Sequence, residues 1–74
     1  MSRTRSLCRG QVIEVTSYPL RGSGFTVHFD LEHHFDSHVD VEHFETGQRF
    51  NSDDEAQRAG LLLGRHQVDL VGGR

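Results

Sequence analysis

His28, Asp30, Glu32 and His34 stand at alternate positions of one short stretch and form the clearest chemical cluster in the chain. Imidazole nitrogens and carboxylate oxygens together suit a divalent transition ion such as Zn²⁺ or Ni²⁺. On a strand, side chains two residues apart rise by about 6.6 Å and share a face, so such ligands can converge from above. Asp40 and Glu42 follow closely enough to lie on the next strand. Against this, a flat strand face does not enclose an ion, and the sequence names no second shell to orient the ligands. A solvated sheet face accounts for the same polarity. The four residues are therefore candidate metal ligands only. No catalytic residue, cofactor-binding residue or resident cofactor is assigned.

The other reactive side chains form no recognisable arrangement. Serine, histidine and aspartate all occur, but there is no Gly-x-Ser-x-Gly elbow, Walker loop, dinucleotide fingerprint or His-Glu-x-x-His pair. Cys8 is the single cysteine, which excludes an intramolecular disulfide and a four-cysteine zinc site. Beside Arg9 it reads as a spectator thiol, suited to a reducing compartment. A chain of 74 residues also has little volume for a substrate pocket of roughly 300 Å³ or more. The expectation is a protein that is not an enzyme.

Charge narrows the class of partner. All eight basic residues are arginine, and the formal net charge is −3. Residues 25–57 hold nine acids against Arg49 alone, and such a surface repels phosphate, so nucleic acid is not an expected partner. Arg3, Arg5 and Arg9 make residues 1–9 basic, and this segment reads as a flexible arm. No apolar run approaches the roughly 20 residues of a membrane span, and no secretory signal follows the basic start. The cytoplasm is the default location.

The candidate ligands need a strand to hold them, and the patterning supplies one. Phe25, Val27, Phe29, Leu31 and Phe35 alternate with Thr26, His28, Asp30, Glu32 and His34, placing one face on a core and the other in water. Val12, Ile13, Val15, Thr16 and Tyr18 mark an earlier strand over Gln11 to Tyr18, ended by Pro19 and the Gly22-Ser23-Gly24 loop. Val39, Val41 and His43 alternate with Asp40 and Glu42 in a later strand, which Phe44 interrupts as a bulge or an end. Across a half-buried hairpin, apolar residues must meet apolar ones. Pairing Phe35 with Val39 does this but sets Glu32 against Glu42. Pairing Phe35 with Val41 avoids that clash and is the preferred register. His33 and His43 then fall on the apolar phase, at the edge of the core.

Ser52-Asp53-Asp54-Glu55 forms a capping box that opens a helix. Ala56, Ala59, Gly60 and Leu63, with Leu62 beside them, make its core-facing stripe. Gly60 and Gly64 each cost about 1 kcal/mol of helix stability relative to alanine, and close approach of helix to sheet is the reason to keep them. Two endings fit: the helix stops near Gly64 and Gln67 to Val71 form a short fourth strand, or the helix runs on. Gly72, Gly73 and Arg74 read as a frayed end. The expected architecture is α+β, a three-stranded antiparallel meander with one C-terminal helix on its apolar face, in one domain over residues 10–71.

Phe50, Ser52, Glu55, Ala56, Gly64, Arg65, Val68 and Asp69 resemble a pattern in short uncharacterised bacterial β-β-β-α proteins. In those, a Glu-Ala helix start is followed by a Gly-Arg-x-x-Ile/Val-Asp helix end. The resemblance covers about Phe25 to Asp69 and implies a helix that continues past Gly64; it implies no activity. The β-β-β-α order is also distantly similar to HicB-like antitoxins, without their Pro- and Gly-bearing segment. From the residues alone, the expected function is a small binding or regulatory module acting through a protein partner or as a homodimer. A divalent metal-binding or metal-sensing module on the His/Asp/Glu face is the alternative. An antitoxin-like regulator is the second, on the resemblance.

Overall fold

A two-residue turn at Arg9 and Gly10 starts the sheet. Both have positive φ, 51° and 78°, the geometry of a type I′ hairpin whose twist matches its flanking strands. It folds β1 (Ser2–Cys8) back on β2 (Gln11–Pro19), with Cys8 opposite Gln11 and Ser2 opposite Ser17. β3 (Phe25–His34) and β4 (Val39–Glu45) complete a four-stranded antiparallel sheet in the order β1-β2-β3-β4, and α1 (Asp53–Gly72) packs across one face. This computed structural model describes residues 1–72.

The fold class is the expected one, but the sheet has four strands instead of three. The difference is the segment read as a flexible basic arm. Its side chains alternate without being apolar: Ser2, Thr4, Ser6 and Cys8 stand on the helix side, and Arg3, Arg5 and Leu7 on the other. A polar knot ties its beginning down. Ser2 and Ser17 both donate hydroxyl hydrogen bonds to the Asp53 carboxylate, while Gln57 donates to the Ser2 carbonyl at 2.9 Å and to Ser17 Oγ at 3.1 Å. Ser17 is fully buried, so these bonds satisfy a hydroxyl that burial would otherwise leave costly.

The core lies between the sheet and the helix. Ile13 and Val15 of β2, Val27, Phe29 and Leu31 of β3, and Ala56 and Val68 of α1 are its buried apolar members. Burying each of the larger side chains contributes about 1.5–3 kcal/mol, so they carry most of the stability. Ser52 Oγ caps the helix by accepting the Glu55 N–H at 3.1 Å. Two backbone hydrogen bonds between Phe25 and Phe50, at 2.8 and 2.7 Å, hold the chain leading into that cap. Gly60 and Gly64 are where the helix comes closest. A Cβ on Gly60 would lie 2.6 Å from Val15 Cγ1, and one on Gly64 would lie 2.7 Å from Ile13 Cγ2. The helix continues through Gln67 to Val71, where a short strand was the other reading. Of the expected frayed end, Gly72 closes the helix, while residues 73 and 74 lie outside the described residues. Among the described residues no helix is long and apolar enough to cross a membrane.

β4 takes a register that neither sequence alternative contains. His34 stands opposite Val39, Glu32 opposite Val41 and Phe29 opposite Phe44. Residues 35–38 form the loop, closed by the Phe35 N–H donating to the His38 carbonyl at 2.8 Å. An odd shift in register turns every side chain over. Val39, Val41 and His43 therefore point away from the helix, while Asp40, Glu42 and Phe44 point toward its side. Aromatic packing decides the outcome. Phe44 stacks on Phe29 with ring centroids 4.8 Å apart and 12° between planes and is partly buried, while Val39 and Val41 are left exposed.

Candidate functional site

The sheet face away from the helix carries Arg3, Arg5, Glu14, Asp30 and Glu32 with three of the six histidines, His28, His34 and His43. Register sets them in rows across the strands. Arg3, Thr16, His28 and Glu45 form one row, Arg5, Glu14, Asp30 and His43 the next, and Leu7, Val12, Glu32 and Val41 a third. His28, Asp30, Glu32 and His34 all lie on this face, as their alternation predicts. They do not act as one cluster, because neighbours from other strands divide them.

Glu32 and His34 belong to an ion-pair group around Arg5. The Arg5 guanidinium reaches Glu14 at 2.8 Å and both Glu32 oxygens at 3.1 Å, while His34 Nε2 lies 3.0 Å from Glu32. Arg5, and secondarily His34, hold the Glu32 carboxyl below its ordinary value. These carboxylates are already neutralised by arginine and have little left to offer a cation.

At the other end of the same face, Asp30 reaches His43 of β4 and His28 lies between Tyr18 of β2 and His43. His43 Nδ1 and Asp30 Oδ1 are 2.5 Å apart, and since a carboxylate only accepts, the proton sits on Nδ1. Nε2 then lies 3.6 Å from Glu45 Oε2. The Asp30 hydrogen bond, with the negative charges of Asp30 and Glu45, raises the His43 pKa above its ordinary value. His28 sits against Tyr18 at 4.8 Å between ring centroids and meets the His43 ring edge-on at 5.3 Å. One ligand atom each from His28, His43 and Glu45 lies within 4.8 Å of the others. Beside them is a depression of about 70 Å³ lined by Arg3 and Glu14 as well as Tyr18, His28, Asp30 and His43.

Alternation alone does not bring His43, Glu45 or Arg5 to this face. The alternation puts His43 on the apolar phase and Asp40 and Glu42 on the ligand face; the register exchanges them. The signal was Phe44, the one aromatic in its strand and so the residue with most apolar surface to bury. Arg5 was missed with β1, whose signal was Arg9-Gly10 standing as a two-residue turn before a β-branched run.

The β4 edge is the second feature. Helix α1 lies over β2 and β3 and reaches β1, but among the described residues no Cα of α1 comes within 8 Å of a Cα of β4. Among the described residues the far edge of β4 is unpaired, with Val39 and Val41 exposed on one side and a groove of about 240 Å³ between Phe44 and Leu63 on the other. Comparison of the chain with protein-family models, curated proteins and solved structures gave no match.

Proposed function

We propose that the protein is a small non-enzymatic binding module that acts by self-association, adding the β4 edge of one copy to the β1 edge of the next. The observation that carries this is the complementary chemistry of the two open edges. On the outer face β4 presents Val39, Val41, His43 and Glu45, while β1 presents Arg3, Arg5 and Leu7. Continuing the three rows into a second copy sets its Leu7 beside Val41 and its Arg3 beside Glu45, while the middle row sets its Arg5 beside His43. Leu7 is 73 % exposed and Val41 57 %, so pairing them removes apolar surface from water. Arg3 has only a 4.0 Å contact with Glu14 and is available for an acid across the new junction. Strand addition also satisfies the unpaired N–H and C=O groups along both edges, which is how exposed edges recruit extended partners.

Because the two surfaces differ, the contact is head-to-tail. Val41→Lys blocks one edge and Leu7→Lys the other. Light scattering of the unmodified protein at high micromolar concentration gives a mass above the monomer. Each variant alone is monomeric, and their mixture gives a one-to-one dimer through the one compatible junction. A monomeric unmodified protein overturns self-association. A Leu7→Lys variant that still self-associates, or a mixture that stays monomeric, overturns the head-to-tail pairing.

A further inference from the structure

We propose that His28, His43 and Glu45 form a binding site for a divalent transition cation of zinc-like chemistry. The three come from two hydrogen-bonded strands: His28 lies directly opposite Glu45, and His43 is two residues before Glu45 on the same strand. Directly opposed residues have closely spaced Cβ atoms, and diagonal neighbours remain within reach of long side chains. A tetrahedral ion with bonds of about 2.0–2.2 Å needs its ligand atoms roughly 3.3–3.6 Å apart. His43 Nε2 and Glu45 Oε2 are already at 3.6 Å. The full set lies within 4.8 Å, so it closes on an ion by small rotations of side chains at the surface.

Asp30 supplies the support that a bare sheet face lacks. Metal-bound histidines commonly donate their second ring N–H to a carboxylate, which fixes the tautomer and the ring orientation. Asp30 holds His43 this way, spending Nδ1 and leaving Nε2 for the ion. Tyr18 and the His43 edge restrict the His28 ring. Two imidazoles and a carboxylate favour zinc and its neighbours over calcium or magnesium, which prefer oxygen ligands throughout. Three protein ligands leave a position for water or for a ligand from another molecule. Glu32 and His34 take no part, because Arg5 holds Glu32 and Glu32 holds His34.

The site shares Glu45 with the strand pairing proposed above, where it meets Arg3 of the next copy, so its test uses the Val41→Lys variant to keep self-association out. Chelator-treated protein is titrated with zinc chloride and followed by calorimetry and by imidazole NMR signals. The expected result is one saturable site per chain, with the largest shifts at His28 and His43. His28→Ala and His43→Ala each weaken binding at least about tenfold, and Asp30→Asn weakens it by about 10–100-fold. His34→Ala, with its ring at the other half of the face, leaves affinity unchanged. The amide spectrum of each variant checks that it remains folded. Shifts centred on His33, His34 or His66, binding that does not saturate, or equal weakening by His34→Ala overturns the site. Loss of zinc binding would leave the strand-addition reading intact, and a monomeric protein would leave the metal site intact.

Discussion

Asp53 shows how much one side chain does beyond its local role. In the sequence it is a first-turn acid that favours the positive end of a helix. In the fold its carboxylate also takes hydroxyl bonds from Ser17 and Ser2, joining helix, β2 and the start of β1. Those bonds, Ser17 first, lower its pKa below the ordinary carboxylate value. A carboxylate with a lowered folded pKa adds stability that is fully present above its unfolded value of about 3.9 and is lost as pH falls through the folded value. Thermal melts of the unmodified protein and Asp53→Asn across pH should therefore differ most near neutrality. The gap in melting temperature should narrow below about pH 4. A gap that stays constant to lower pH would mean that Asp53 acts only as an uncharged acceptor.

At the level of elements, the helix and β4 were each decided by close contact. Gly60 and Gly64 are poor helix formers, yet a methyl group at Gly60 would meet Val15 at 2.6 Å and Val27 at 2.7 Å. Overpacking of this kind costs about 1–3 kcal/mol, against a gain of roughly 1 kcal/mol from the better helix former. Gly60→Ala should be destabilising on balance, by about 1 kcal/mol in urea unfolding. Leu62, 65 % exposed on the same helix, should tolerate Leu62→Gln within about 0.5 kcal/mol. A stabilised Gly60→Ala protein would show that the helix can lift from the sheet without cost. β4 follows the same logic, since stacking Phe44 on Phe29 fixes its phase and brings His43 and Glu45 to His28.

The whole molecule is thin. Its extents are 43 × 23 × 16 Å, one helix on one sheet, so only one face of the sheet is covered. Two layers of this size bury little apolar surface, and a domain near 74 residues is close to the lower limit of independent stability. Association through the strand edges would bind the folded state alone and add stability by mass action. The melting temperature of the unmodified protein should therefore rise with concentration, while that of Val41→Lys should not. Identical melting at low and high micromolar concentration would remove self-association as a source of stability.

The alternation over Phe25 to His34, the capping box at Ser52 and the small-residue spacing along the helix were all legible in the sequence. Each is a local signal: a period of two, a cap three residues from its partner, and glycines one turn apart. They determined a half-buried β3, the start of α1 and the side it presents to the sheet, and they placed four of the polar residues on one face. The rest depended on partners distant in the chain. β1 has no apolar period and is held by Asp53 and Gln57, some 50 residues away. The register of β4 sets Phe44 on Phe29 and leaves Val39 and Val41 exposed, a choice made by packing against β3 and not by the local alternation. That register brings His43 and Glu45 to His28. The chemistry of the outer face could therefore be read residue by residue in the sequence, while its grouping into a site was decided by tertiary packing on the opposite side of the sheet.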